Sequence, residues 1–187
     1  MISQLTQTKR WLAVNQNTAF WIKSFIGSAL IALFAQISVP MYPVPITGQT
    51  LAISVVGLGL GRKAGTTAVL LYLLEGVMGL PVFANGGTGL TSLLGPSGGY
   101  LIGFVPSAYL LGYFSDKGIL NSFTKSILVA LVASAVTFAF GLAQLSFFVP
   151  ADKLLQLGFY PFILGGIIKA VLAGLLVIPT YKFFSKL

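Results

Sequence analysis

The chain has 187 residues, of which 56% are apolar and only 7% charged, with a formal net charge of +8 and a mean hydropathy of +0.95. A soluble domain carries about a quarter of its residues as charges, so this composition excludes a wetted globular surface and makes the bilayer the solvent. With no Cys, no His and just three acidic residues, Glu75, Asp116 and Asp152, thiol chemistry, disulfides, most zinc sites and paired-carboxylate catalysis are excluded, and no enzyme is expected.

A spanning helix needs roughly 20 apolar residues, and breaks in the apolar runs predict an all-α membrane protein of six spans. Residues 1–187 are expected to form a single membrane domain. Residues 1–18 are polar, with Lys9, Arg10 and Trp11, and read as a cytoplasmic or interfacial segment; Trp11 and Trp21 suit the headgroup level. Span 1 covers 19–39 and ends in the run Pro40-Met-Tyr-Pro43-Val-Pro45. Span 2 (49–60) is short and closes on Gly61-Arg62-Lys63; span 3 (64–80) ends at Pro81. A Gly-rich, uncharged segment at 82–96 follows, then span 4 (98–114), a polar stretch (115–125), span 5 (126–149) and span 6 (161–183). The glycines at 57, 59 and 61 lack the G-x-x-x-x-G-K-[ST] spacing of a phosphate loop, so no nucleotide cofactor is expected on this chain.

Charge sets the orientation. With the N-terminus in the cytoplasm, Lys9, Arg10, Lys23, Arg62, Lys63, Lys117, Lys125, Lys182 and Lys186 fall inside, and Lys153 alone falls outside. That asymmetry satisfies the positive-inside rule only for an even number of spans, and it predicts a multi-pass plasma-membrane protein with both ends cytoplasmic. No basic patch interleaved with aromatics is present, so nucleic acid is not an expected partner. Both long uncharged loops fall on the outer face. Irregular backbone at membrane depth is tolerated where protein buries it or where it lines a cavity, which predicts a pocket opening outward.

Lys169 stands eight positions into span 6, about 12 Å down a helix rising 1.5 Å per residue. A lysine at such depth costs up to about 3.5 kcal/mol on insertion scales. Its helical face carries Gly165, Gly166 and Ala173, and small residues mark contact with other helices. Lys169 is therefore expected to point into the bundle, toward a ligand carboxylate or a protein carboxylate such as Glu75. Asn85, flanked by Gly86 and Gly87, offers two donors and an amide oxygen beside flexible backbone, although Asn-Gly is also a turn signal. Gln49 is a similar group at an outer helix end, and Tyr42 and Tyr100 supply aromatic walls with hydroxyl tips. Small residues stripe span 1 (Ser28, Ala32, Ala35), span 4 (Gly99, Gly103, Ser107) and span 5 (Ala130, Ala133, Thr137, Gly141), as close helix packing requires.

Three ordered motifs carry a family resemblance: Pro43-Val-Pro-Ile-Thr-Gly-Gln49-Thr-Leu, Tyr72-Leu-Leu-Glu-Gly-Val-Met-Gly-Leu-Pro-Val-Phe-Ala84, and Leu94-Gly-Pro-Ser-Gly-Gly-Tyr100-Leu-Ile-Gly-Phe104. Across residues 28–179 the chain closely resembles BioY, the biotin-specific S component of energy-coupling factor (ECF) transporters. The resemblance implies six helices and capture of the vitamin from outside. It also implies association with a transmembrane coupling subunit and two ATPase subunits, which alone would use ATP. The span-1 pattern that meets the coupling subunit falls on Ser28 and Ala32, and Asn85 and Lys169 match ligand-contact positions. One departure concerns Gly166, where the family commonly has an Asp three residues before the lysine. That carboxylate would suit the ureido N–H groups of biotin, so a relative tuned to lipoate is the alternative that this position raises.

Overall fold

The computed structural model describes residues 16–184, with side chains placed as far as Ile178. The expectations for Lys9, Arg10, Trp11 and Lys186 lie outside the described residues, and that for Lys182 falls on a side chain that is not described. Helix α1 (Gln16–Gln36) leads into a short antiparallel hairpin of β1 (Ser38–Val39) and β2 (Ile46–Thr47). Helix α2 (Gln49–Val77) follows, then a loop holding the short helix α3 (Gly89–Leu94), then α4 (Gly98–Asp116) and α5 (Phe123–Leu145). The chain finishes with the short α6 (Leu154–Gly158) and the long α7 (Tyr160–Phe184).

Helix α2 is two antiparallel helices joined at Gly61, whose φ of 75° and ψ of 179° are not helical. Residues 57 and 65 would stand about 12 Å apart on a straight helix, yet a Cβ on Gly65 would lie 3.1 Å from Gly57 Cα. Likewise the Gln49 amide donates to the Tyr72 hydroxyl at 2.5 Å across the two halves. The expected spans 2 and 3 are thus the two arms of this hairpin, and six long helical segments make up the bundle among the described residues. The Asp116 carboxylate accepts from the Arg62 backbone N–H at 3.2 Å, and Ser115 Oγ donates to the Leu58 carbonyl at 2.5 Å. The end of α4 therefore satisfies polar backbone that the turn at Gly61 leaves open.

The α2 hairpin lies between α1 and α4, α5 packs on α4, and α7 closes against α2 and α5. The contact of α4 with α5 runs along the predicted small-residue stripes. A Cβ on Gly103 would come within 3.1 Å of Thr137 Cα, so the two backbones meet almost directly. The core between the helices is apolar, with Ile31, Leu58, Val69, Tyr72, Ala108 and Leu111 fully buried. Large apolar side chains also cover the outside: Phe25, Ile26 and Leu33 on α1, Leu70 and Leu74 on α2, Leu164, Ile168 and Leu172 on α7. Among the described residues three segments, Gln16–Gln36, Phe123–Leu145 and Ala151–Ile178, are long and apolar enough to cross a membrane by themselves. The arms of α2 are shorter, and they bury much of their surface against their neighbours.

The stripe on α1 faces inward. Ser28 is fully buried and donates to Glu75 Oε2 at 2.6 Å, while Ala32 packs against the core beside the fully buried Ala35. In the chain by itself Ser28 is thus engaged with the carboxylate on the second arm of α2, while Ala32 stays partly exposed on α1.

The turn gives a direct test. Only glycine readily adopts the Gly61 conformation, which costs other residues about 1–3 kcal/mol, and a Cβ there would run into the Asp116 carboxylate. A Cβ on Gly112 would meet the Arg62 backbone. Gly61→Ala and Gly112→Ala should each lower thermal stability by at least about 1–3 kcal/mol in detergent, whereas Gly59→Ala, with nothing within 4 Å, should leave it unchanged.

Candidate functional site

A cavity of about 300 Å³ lies at the end of the bundle where α1 stops and where α2, α4 and α7 begin. Its volume is at the lower end of the range typical of small-molecule sites. The hairpin before α2 contributes Val44, Pro45 and Thr47, and the first turn of α2 contributes Gln49 and Thr50. The segment between α2 and α4 adds Phe83, Asn85, Ser92 and Pro96 to the wall. Helix α4 supplies Tyr100, Leu101 and Phe104; α5 supplies Ser134, Thr137 and Phe138; α7 supplies Phe162, Gly166 and Lys169.

Lys169 is half-buried, and its Nζ donates to the Thr47 carbonyl at 2.6 Å. An ammonium has three donors, so two protons remain for a ligand even while this bond holds. Thr47 Oγ1 donates in turn to Gln49 Oε1 at 2.8 Å, and Gln49 Nε2 reaches Tyr72. A continuous run of polar contacts thus links α7, the hairpin and both arms of α2. Tyr100 stands at the aromatic wall with Phe138 and Phe162. Its hydroxyl donates to the Gly158 carbonyl at 2.7 Å, which ties α4 to the segment that leads into α7.

The segment from 81 to 97 holds a 3-10 turn and the short α3 joined by irregular chain, and side chains from the helix ends satisfy part of its backbone. The Gln36 amide donates to the Phe83 carbonyl at 3.0 Å and accepts from the Gly86 N–H at 3.1 Å, gripping the chain on both sides of Asn85. The Gln144 amide does the same further along, donating to the carbonyls of Leu93 and Gly95 at 2.8 Å each. Asn85 takes the left-handed conformation, with φ of 57°, which Asn tolerates better than most residues. Ser38 Oγ donates to Asn85 Oδ1 at 2.6 Å. With its oxygen so engaged, the Asn85 amide keeps both N–H groups for a ligand acceptor.

Of the residues singled out in the sequence, the structure brings Gln49, Asn85, Tyr100, Gly166 and Lys169 to one cavity. Two others lie elsewhere. Glu75 is not on the cavity wall and is not the partner of Lys169, because its carboxylate accepts from Ser28 inside the α1–α2 contact. Tyr42 is 90% exposed, at the tip of the hairpin and off the wall. The hydroxyls of Ser134 and Thr137 and the two glutamine clamps were not predicted as site groups. Thr137 was visible only as a member of a small-residue stripe. The signal for the clamps was an amide at the end of an otherwise apolar span, at positions 36 and 144.

A sequence model of the BioY family matches residues 6–186. The chain is 40% identical over 162 residues to the biotin transporter BioY of Thermotoga maritima, covering 86% of this chain and 95% of that one. It is 35% identical over 181 residues to the biotin transporter BioY2 of Lactococcus lactis subsp. cremoris, covering 91% and 99% respectively. Among solved structures, the S-component for biotin from an ECF-type ABC transporter superimposes with a TM-score of 0.81 at 32% identity, covering 90% of this chain and 93% of that one.

The glutamine clamp makes the segment between α2 and α4 testable in the ligand-free protein. Gln36→Ala removes both contacts that flank Asn85, one part-buried and one exposed, and a typical hydrogen bond is worth about 1 kcal/mol. Amide hydrogen exchange across residues 81–87 should accelerate by roughly tenfold or more, while exchange within α4 stays as in the wild type.

Proposed function

The chain belongs to the BioY family, and from that membership and its cavity we propose that it captures biotin for uptake through an ECF transporter. The observation that carries this is Lys169, an ammonium on the wall of a largely apolar cavity with donors to spare. A carboxylate placed beside it gains a charge-assisted hydrogen bond in a water-poor site, where such bonds are strongest. The free N–H groups of Asn85 suit a carbonyl oxygen such as that of the ureido group. Tyr100, Phe138 and Phe162 offer apolar surface to the hydrocarbon part of the ligand.

The protein acts in this proposal as a binding subunit of the membrane and not as an enzyme. Uptake is driven by ATP hydrolysed on two ATPase subunits that meet this chain through a transmembrane coupling subunit. The cavity faces outward and both chain ends face the cytoplasm. The charge distribution supports this orientation: Lys23, Arg62, Lys63, Lys117 and Lys125 sit on segments at the end remote from the cavity, and Lys153 lies at the cavity end.

A lipoate-binding protein is the second reading, favoured by one observation. Gly166 lines the cavity without a side chain, and a Cβ there would meet nothing within 4 Å. No carboxylate therefore faces the ureido group from α7 at this position. The cavity retains other acceptors, which keeps biotin first.

Titration of the purified chain separates these ligands. Biotin should bind tightly and lipoate should fail to displace it; the reverse order would replace biotin by lipoate. Lys169→Ala should weaken biotin by about ten- to a hundred-fold, the value of one hydrogen bond to a charged group. Biotinol, which lacks the carboxylate, should bind wild type and Lys169→Ala alike. Unchanged biotin affinity in Lys169→Ala would remove the anchor from the proposal.

A further inference from the structure

The cavity wall formed by α5 has a hydrogen-bonding polarity that follows from counting protons. A hydroxyl has one proton to donate and two lone pairs to accept with. Ser107 Oγ lies 2.7 Å from the Ala133 carbonyl, which can only accept, so the single Ser107 proton is committed there. Ser107 Oγ also lies 2.8 Å from Thr137 Oγ1. Because Ser107 has no second proton, Thr137 must be the donor in that contact. Thr137 is 3% exposed and lines the cavity. Its proton is spent on Ser107, and what it has left for a ligand is lone pairs. Ser134, nearly one helical turn earlier on the same wall, donates to the Ala130 carbonyl at 3.0 Å and is left in the same condition.

We propose that Thr137 and Ser134 form an acceptor subsite for the ligand's N–H donors, the ureido N–H groups when the ligand is biotin, with Ser107 holding Thr137 in its accepting orientation. The subsite rests on the assignment of the cavity to biotin and states how the head group is chosen. The groups on the remaining walls complement it, since Lys169 and Asn85 offer donors. A ligand with a carboxylate, a carbonyl oxygen and N–H groups finds an opposite partner for each. A ligand whose ring has no N–H leaves the buried Thr137 acceptor and the partly exposed Ser134 acceptor unpaired, and loss of pairing at a buried acceptor is a basis for rejection. Ser107 is a positioning residue: it is absent from the wall of this cavity and acts through Thr137.

The test is calorimetric titration of the full chain in nanodiscs with biotin and with biotin methylated on the ureido nitrogens. Thr137→Val keeps the shape and removes the acceptor, and it should weaken biotin by about tenfold. Thr137→Ser should restore binding. Ser134→Ala, a smaller change in a partly exposed side chain, should cost several-fold. The methylated ligand should bind the wild type weakly and should be indifferent to Thr137→Val. Ser107→Ala should weaken biotin in the wild-type background and have no further effect once Thr137 is Val, an outcome that a general loss of packing would not produce. Wild-type affinity in Thr137→Val and Ser134→Ala, or an equal loss for the methylated ligand, would overturn the subsite while leaving biotin capture standing. A wild-type chain that binds no biotin would overturn the function and the subsite together.

Discussion

The hydrogen-bonding demand of non-helical backbone at the edge of a bilayer governs how this protein is built. Helices satisfy their own N–H and C=O groups, but a pocket needs chain that bends, and bent chain exposes polar groups where water is scarce. Here bends around the cavity are met by side chains from the helices, two of them at helix ends. Gln36 holds the chain around Asn85, Gln144 holds the carbonyls of Leu93 and Gly95, and Lys169 reaches the carbonyl of Thr47. These contacts make the cavity walls as definite as the helices behind them. They also leave specific groups unspent, and those unspent groups are what a ligand can use.

The opposite end of the bundle solves the same problem differently. The turn at Gly61 reverses α2 within one residue, and Asp116 and Ser115 at the end of α4 serve the polar backbone on either side of it. Glycine makes that reversal possible and lets α4 approach at Gly112. With the hairpin locked there, its two arms run back toward the cavity, where Gln49 meets Tyr72. The short arms would be poor membrane spans alone. Flanked by α1 and α4, they replace contact with lipid by contact with protein.

Much of the plan was legible in the residues. The charge pattern and apolar runs predicted six spans, and the doublet Arg62-Lys63 marked the reversal between the second and third. The stripes of small residues on spans 4 and 5 predicted a close helix contact, which is the one Gly103 makes with Thr137. Gln49 and Asn85, read from their place beside Gly- and Pro-rich segments, and Lys169, read from its depth in a span, all line the one cavity. Spacing did not show which of the polar groups inside the bundle pair with one another. Glu75 was read as a ligand group or a partner of Lys169 and Ser28 as a partner contact, whereas in the chain by itself the half-buried Glu75 carboxylate accepts from Ser28. Tyr42 looked like a wall and is at an exposed tip, because the hairpin points it outward.

The sequence alone determined what depends on counting and periodicity: a membrane solvent, the number and approximate limits of the spans, and a lysine deep within one of them. These follow because transfer costs are paid residue by residue and helix spacing is constant. The tertiary structure decided what depends on which groups share a proton. Asn85 keeps its donors because Ser38 occupies its oxygen, and Thr137 keeps its lone pairs because Ser107 takes its proton. Hydrogen-bond partners 30 or 47 residues apart leave no mark in spacing. Their polarity is therefore a property of the fold and not of the string.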